Sequence, residues 1–185
     1  RMPQTYPRFK AAACHIASVF LDADATVDKG ISFIREASKA GAALVAFPES
    51  FIPGFPVWAA LRPPIENHDF FRKLAMQSVR RDGEEVARLA AAAREHGVYV
   101  SVGISEGTDA SVGCLWNSNL LIGPDGSILN HHRKLVPTFY EKLIWANGDA
   151  RGLRVIPTEV GRVGALICGE NTNPLSRYAL MAEGE

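Results

Sequence analysis

Cysteine is scarce in this sequence. The three present, at positions 14, 114 and 168, are odd in number and widely spaced. That argues against a disulfide framework and for free thiols in a reducing compartment. Neither sign of charge is in excess, because 20 Lys and Arg balance 20 Asp and Glu. Nothing electrostatic therefore recommends nucleic acid or an anionic membrane as partner. No apolar run approaches the ~20 residues needed to span a bilayer, and the opening RMPQTYPRFK has no signal-peptide core. The expectation is a cytoplasmic protein. Internal repeats, low-complexity tracts and flexible linkers are missing as well. What is present is a chain of 185 residues, 47% hydrophobic, long enough to bury a sizeable core and at the upper end of the size of one domain.

Periodicity divides the chain into strands and helices. Lys10–Phe20, small and apolar, reads as a first strand. In the stretch that follows, Val27, Ile31 and Ile34 share one helical face, with acids early, Arg35 and Lys39 late, and Gly41 as the stop. AALVAFPES is a short, nearly continuous apolar run, as in a strand covered on both faces. Residues 52–65, with Pro53, Pro56, Pro63 and Pro64, read as loop. Residues 82–96 repeat the helical pattern through Val86, Leu89, Ala90 and Ala93, and Gly97 ends it. VYVSVGIS is a strand. SNLLIGPDGSILNHHRKLV reads as a hairpin turning at Gly123–Gly126, and LRVIPTEVGRVGALIC as another pair turning near Gly161. Pro174–Glu183 is a short helix with proline at an early position. Alternating strands and helices with hairpins imply a layered α/β domain with a mixed sheet.

Three strand ends carry residues of complementary chemistry. Glu49 stands just beyond the strand in LVAFPES, Lys134 near the end of the strand in HHRKLVP, and Cys168 where the apolar run LIC stops. Strand ends and the loops after them form the sites of such sheets. A thiolate is the nucleophile, a carboxylate can take the thiol proton, and an ammonium stabilises the charge that develops on the substrate. Taken singly, each residue has a plainer reading: a core thiol, or a solvated strand end.

Taken together with their surroundings, they carry a resemblance. FPESFIPGFPVW (47–58), HRKLVPTFYEKLIWANGD (132–149) and GRVGALICGENTNPLSRYAL (161–180) resemble the motifs of the nitrilase superfamily of carbon–nitrogen hydrolases, and within it the nitrilase branch. The resemblance runs from about Phe9 to the last residue. It implies a four-layer α-β-β-α sandwich, of which this chain is the N-terminal part. It implies a single carbon–nitrogen hydrolase domain over 1–185, cut short on its C-terminal side. It further implies a Glu-Lys-Cys triad on Glu49, Lys134 and Cys168, with the family's second glutamate on Glu141. No metal and no organic cofactor are implied. The reaction is hydrolysis of an organic nitrile to the acid and ammonia. Amide hydrolysis, or nitrile hydration to the amide, is the alternative within the family, and a non-catalytic scaffold the alternative outside it.

The sequence departs from the branch at several places. Gly169 stands where nitrilases usually have Trp after the nucleophile, Phe55 where Tyr is frequent, and Lys142 where Arg is common. Gly169 is expected to permit a sharp turn with φ > 0 and to open the pocket beside the thiol. Phe51, Trp58, Trp116, Asn117, Tyr140 and Trp145 are candidate pocket walls. Glu170 and Asn171 are placed at the pocket too, bonding locally and capping the next helix. Cys14 is expected in the core and Cys114 in a loop. His131 and His132 point to opposite strand faces and make no chelating pair. The helix after Cys168, through Leu175, Tyr178 and Ala179, is expected at a two-fold contact of a homodimer or larger homo-oligomer.

Overall fold

The computed structural model describes residues 6–185. A five-stranded sheet is ordered β1 (Ala11–Ala13), β2 (Leu44–Ala46), β3 (Tyr99–Thr108), β4 (Ser111–Ile122) and β5 (Ile128–Arg133). The first three strands are parallel, and β4 and β5 add antiparallel. Two helices, α1 (Ala23–Lys39) and α4 (Glu84–His96), cover one face. Both form for the reasons the sequence advertises. Asp22 caps α1 by accepting the Ala25 N–H at 2.9 Å, and acids open each helix while basic groups close it. Val27 and Ile34 of α1 meet Val86, Leu89 and Ala93 of α4 over Val100, Val102 and Ile104 of β3. The alternate residues, Ser101 and Gly103, face the other side of the sheet, where a cleft separates it from residues 163–168.

A second apolar cluster holds the loops at the other end. It joins α2 (Trp58–Leu61) and α3 (His68–Gln77) to Leu115, Ile144 and Trp145. Helix α2 corrects the expectation of loop over 52–65, since Pro56 and Pro63 bracket it without entering it, whereas α3 lies beyond that range and escapes a sequence reading because Leu74 is its single buried residue. The first strand is also shorter than expected. Its ladder with β2 lasts three residues, one further bond runs from Cys14 N–H to Ala46 O at 2.9 Å, and residues 15–20 belong to no strand. The hairpin turns at Gly123–Gly126 as expected, with Gly126 N–H donating to Gly123 O at 2.9 Å. Cys114 lies within β4, not in a loop.

β6 (Ile156–Thr158) and β7 (Gly161–Val163) form a two-stranded ribbon. The second member was expected to run on as a strand to Cys168. It stops at Val163, because residues 164–167 have no neighbouring strand to pair with among the described residues. Helix α5 (Pro174–Ala182) follows, capped by Asn173, whose Oδ1 accepts from Leu175 N (3.0 Å) and Ser176 N (3.3 Å). One helical layer on one sheet is half of a four-layer sandwich. No helix among the described residues is long and apolar enough to cross a membrane.

Candidate active site

Two glycines let the backbone bring the acid and the base together. Glu49 lies three residues past β2, where the chain runs hard against β3. A Cβ at Gly103 would stand 2.4 Å from Pro48 O and 2.5 Å from Ser50 N, so any side chain there would push the Glu49 peptide off the sheet. Lys134 directly follows β5. Its N–H donates to Asn117 O at 2.8 Å, and its carbonyl accepts from Gly148 N–H at 2.9 Å. A Cβ at Gly148 would meet Arg133 O at 2.5 Å and Lys134 O at 2.6 Å.

These backbones aim four side chains at one place. Lys134, 1% exposed, donates from Nζ to Glu49 Oε1 at 3.0 Å and to Glu141 Oε2 at 2.7 Å. Burial works against its charge, but the hydrogen bonds to Glu141 and Glu49 outweigh it and raise the pKa of Lys134 above its ordinary value. Glu141 is buried in the 3-10 turn Phe139–Leu143. Its Oε2 also accepts the Thr138 N–H at 2.9 Å, which closes a capping box with Thr138. Glu49 Oε1 takes a second bond, from Asn117 Nδ2 at 2.7 Å. That oxygen is saturated, while Oε2 has no protein donor among the described residues.

The thiol completes the group. Cys168 opens the 3-10 turn Cys168–Thr172 and is exposed. One carboxylate oxygen of Glu49, one of Glu141 and the Cys168 sulfur all lie within 4.8 Å of one another. Such a set could in principle hold a cation, but the Lys134 ammonium already occupies the space between the two carboxylates. The cluster opens into a cleft of about 500 Å³ lined by Glu49, Asn117, Asn119, Leu166, Cys168 and Asn171. An exposed sulfur within 4.8 Å of a Glu49 carboxylate oxygen, with a buried ammonium behind, suits nucleophilic attack on a polarised carbon.

This site can be set beside known proteins. The chain matches the carbon–nitrogen hydrolase family over residues 10–185. It belongs to that family. A bromoxynil-specific nitrilase of Klebsiella pneumoniae subsp. ozaenae is 42% identical over 177 residues, 96% of this chain and 50% of that protein. A cyanide hydratase of Stereum hirsutum is 42% identical over 185 residues, 100% of this chain and 48% of that protein. The chain thus spans about half the length of the curated relatives it matches. Saccharomyces cerevisiae Nit3, described as a member of branch 10 of the nitrilase superfamily, superposes with a TM-score of 0.74 at 20% identity, over 95% of this chain and 65% of that one. The mixed α/β fold is therefore that of the nitrilase superfamily.

Within this carbon–nitrogen hydrolase fold, several expected pocket walls lie elsewhere. Phe51 belongs to the helix-covered core, stacked on Phe47 at 5.0 Å. Trp58 is in the second cluster, stacked on Phe70 at 5.6 Å, and Tyr140 packs against the same cluster. Trp145 is buried there too, its indole N–H donating to Ser105 Oγ at 3.0 Å. Trp116 points to the sheet face opposite Asn117, with the Arg133 guanidinium 3.8 Å above its ring. In each case tertiary packing decided which way the ring turned. Asn117 is at the site, but it acts by holding Glu49.

The turn after Cys168 also differs in detail. Cys168 itself, not Gly169, has the positive φ, +50°. A Cβ on Gly169 would meet Thr138 Oγ1 at 3.1 Å, so a side chain there would press on the turn that carries Glu141. Asn171 does sit at the cleft, its Nδ2 donating to Leu166 O (3.2 Å) and Cys168 O (3.1 Å). Glu170 does not line the cleft; it is buried and turned toward His132 and the backbone. Thr138 was missed, although the spacing Thr-x-x-Glu at 138–141 is the sequence signal of a capping box.

Proposed function

We propose that the protein carrying this chain is a nitrilase, hydrolysing an organic nitrile to the carboxylic acid and ammonia with Cys168 as nucleophile. The observation that carries this reading is the asymmetry of Glu49. Its Oε1 is fixed by Lys134 and Asn117, which leaves Oε2 without a protein donor and so available to take a proton from the neighbouring thiol. Glu49 accepts the Cys168 proton and the sulfur adds to the nitrile carbon. Lys134 lends a hydrogen bond to the nitrogen as charge collects there. Glu49 returns the proton, giving a neutral thioimidate. A water, deprotonated by Glu49, adds to that carbon, and ammonia leaves to give the thioester. A second water releases the acid and restores the thiol. Glu141 holds Lys134 in place throughout.

Cys168→Ala should abolish nitrile turnover, while Cys14→Ala and Cys114→Ala, remote from the cluster, should keep most of it. Retained activity in Cys168→Ala would sink the assignment. A panel of nitriles run against the corresponding amides separates nitrilase from amidase. The cyanide hydratase relatives favour a second reading. If the thiolate leaves the first tetrahedral adduct before ammonia does, the product is the amide. Quantifying ammonia and amide from one nitrile decides between the two.

We also propose a homo-oligomer. Leu175, Tyr178 and Met181 of α5 are 78%, 69% and 62% exposed, whereas Ser176 and Leu180 turn inward. Three apolar side chains spaced i, i+3, i+6 make one exposed stripe, which a second copy of the same helix would cover about a two-fold axis.

A further inference from the structure

One buried carboxylate grips the chain on both sides of the site without entering it. Glu170 is 6% exposed and uses both oxygens. Oε1 accepts the Leu135 N–H at 2.7 Å, and Oε2 accepts the Ile167 N–H at 2.7 Å while facing His132 Nε2 at 2.9 Å. Leu135 is the residue after Lys134, and Ile167 is the residue before Cys168. His132 lies two residues before Lys134 on β5 and is fully buried, and its Nδ1 has no partner among the described residues. The proton between the pair therefore sits on Nε2, where it has an acceptor.

We propose that Glu170, supported by His132, is a positioning residue that sets the separation and orientation of the Cys168 sulfur relative to the Lys134 ammonium. The proposal rests on the hydrolase reading above and extends it. Cys168 needs such a constraint. A non-glycine residue at φ +50° sits in a left-handed conformation that costs about 1–2 kcal/mol and persists only when its surroundings impose it. The Ile167 N–H bond fixes the peptide before Ile167, and the Glu170 N–H donated back to Ile167 O at 3.1 Å fixes the peptide that enters Cys168. On the other side, the Leu135 bond fixes the peptide that leaves Lys134. All three groups facing Glu170 are donors, so the site demands an acceptor at both oxygens. Three hydrogen bonds to the charged form overcome burial and hold the carboxyl below its ordinary pKa. Glutamine would offer one acceptor and turn its NH₂ on an N–H, so one grip would be lost although the shape is kept.

The test uses the intact protein with Cys14 and Cys114 changed to serine, so that iodoacetamide reports Cys168 alone. Glu170→Gln should slow alkylation at pH 7 at least about tenfold and lower kcat on a nitrile by about 10²-fold, with KM within about threefold, as expected when a reacting group is displaced by roughly 1 Å. His132→Leu should show a smaller loss in the same direction. His132→Gln, whose amide N–H stands near the position of Nε2, should recover most of that loss. A purely architectural role would lower thermal stability without moving alkylation, and it would not be rescued selectively by glutamine. Alkylation and kcat in Glu170→Gln within about twofold of the parent would overturn the proposal. Should that variant fail to fold, equal rates in His132→Leu and His132→Gln would overturn it instead. If the parent turns over no nitrile while Glu170→Gln still slows alkylation, the nitrilase reading fails and the positioning role stands.

Discussion

Lys134→Met removes the ammonium and leaves its two acceptors facing each other. A carboxylate oxygen of Glu49 and one of Glu141 lie within 4.8 Å. At an effective dielectric of about 20 their repulsion is about 3.5 kcal/mol. Glu141 is 5% exposed and Glu49 23%, so solvent screens this only in part. The variant relieves the repulsion by binding one proton between the two carboxylates, which the unfolded chain does not need to do. The folded state then binds more protons than the unfolded state, and stability falls as pH rises. In the parent protein the raised Lys134 pKa keeps the ammonium in place through neutrality, and its contribution is lost only as pH climbs past the ordinary lysine value of 10.5. Lys134→Met should therefore be inactive at every pH, and its melting temperature should trail the parent's by several degrees more at pH 8 than at pH 5. Paired thermal melts at the two pH values, with activity measured alongside, check both halves. A melting deficit independent of pH would refute the picture of one ammonium separating two charged carboxylates.

Gly103→Ala should lower activity at least about tenfold, because Glu49 is carried on the backbone that the new Cβ would displace; kcat measured beside far-ultraviolet circular dichroism distinguishes this from unfolding. Glu106 is pulled by His131, Arg133 and Ser118, against its burial, to a pKa of about 2 from 4.5. It should contribute about 3 kcal/mol that is present above pH 4.5 and lost as pH falls toward 2, and acid titration of Glu106→Gln should lack that component. Gly169→Trp should lower kcat on small nitriles as well as on bulky ones, since even its Cβ would press on Thr138 Oγ1 at 3.1 Å, on the turn that carries Glu141; a change confined to bulky substrates would instead place residue 169 at the pocket wall. Tyr178→Asp should shift the protein toward monomer in sedimentation velocity, and an unchanged coefficient would remove α5 from the interface.

The sequence makes the main lines of this site legible because Glu49, Lys134 and Cys168 stand at element ends, where composition changes abruptly. Apolar LVAF gives way to Pro-Glu, and LIC to Gly-Glu-Asn. Helices α1 and α4 are equally plain, since their caps, charge order and apolar spacing agree. The aromatic candidates for pocket walls lie away from the cleft for a physical reason. Phe51, Trp58 and Trp116 lie close in sequence to site residues, but which face a ring takes depends on partners such as Phe47, Phe70 and Arg133 that no local pattern names. Glu170 was placed in the pocket on the same grounds of adjacency. Its donors come from two segments more than thirty residues apart, so only the folded chain displays them together.

The balance of charge around Lys134 bears on how the cycle ends. Two carboxylates about one ammonium leave the cluster one negative charge, and passing a proton from the sulfur to Glu49 does not alter that sum. In the proposed reaction a neutral nitrile would approach such a cluster without electrostatic penalty. The acid that the proposed hydrolysis forms would ionise at neutral pH and become an anion beside a net anion; at a separation of roughly 5 Å and an effective dielectric of about 20, its residence would be disfavoured by about 3 kcal/mol. On the proposed reaction, the arrangement that would generate the nucleophile would also drive the product out, and turnover would resist the acid accumulating in solution.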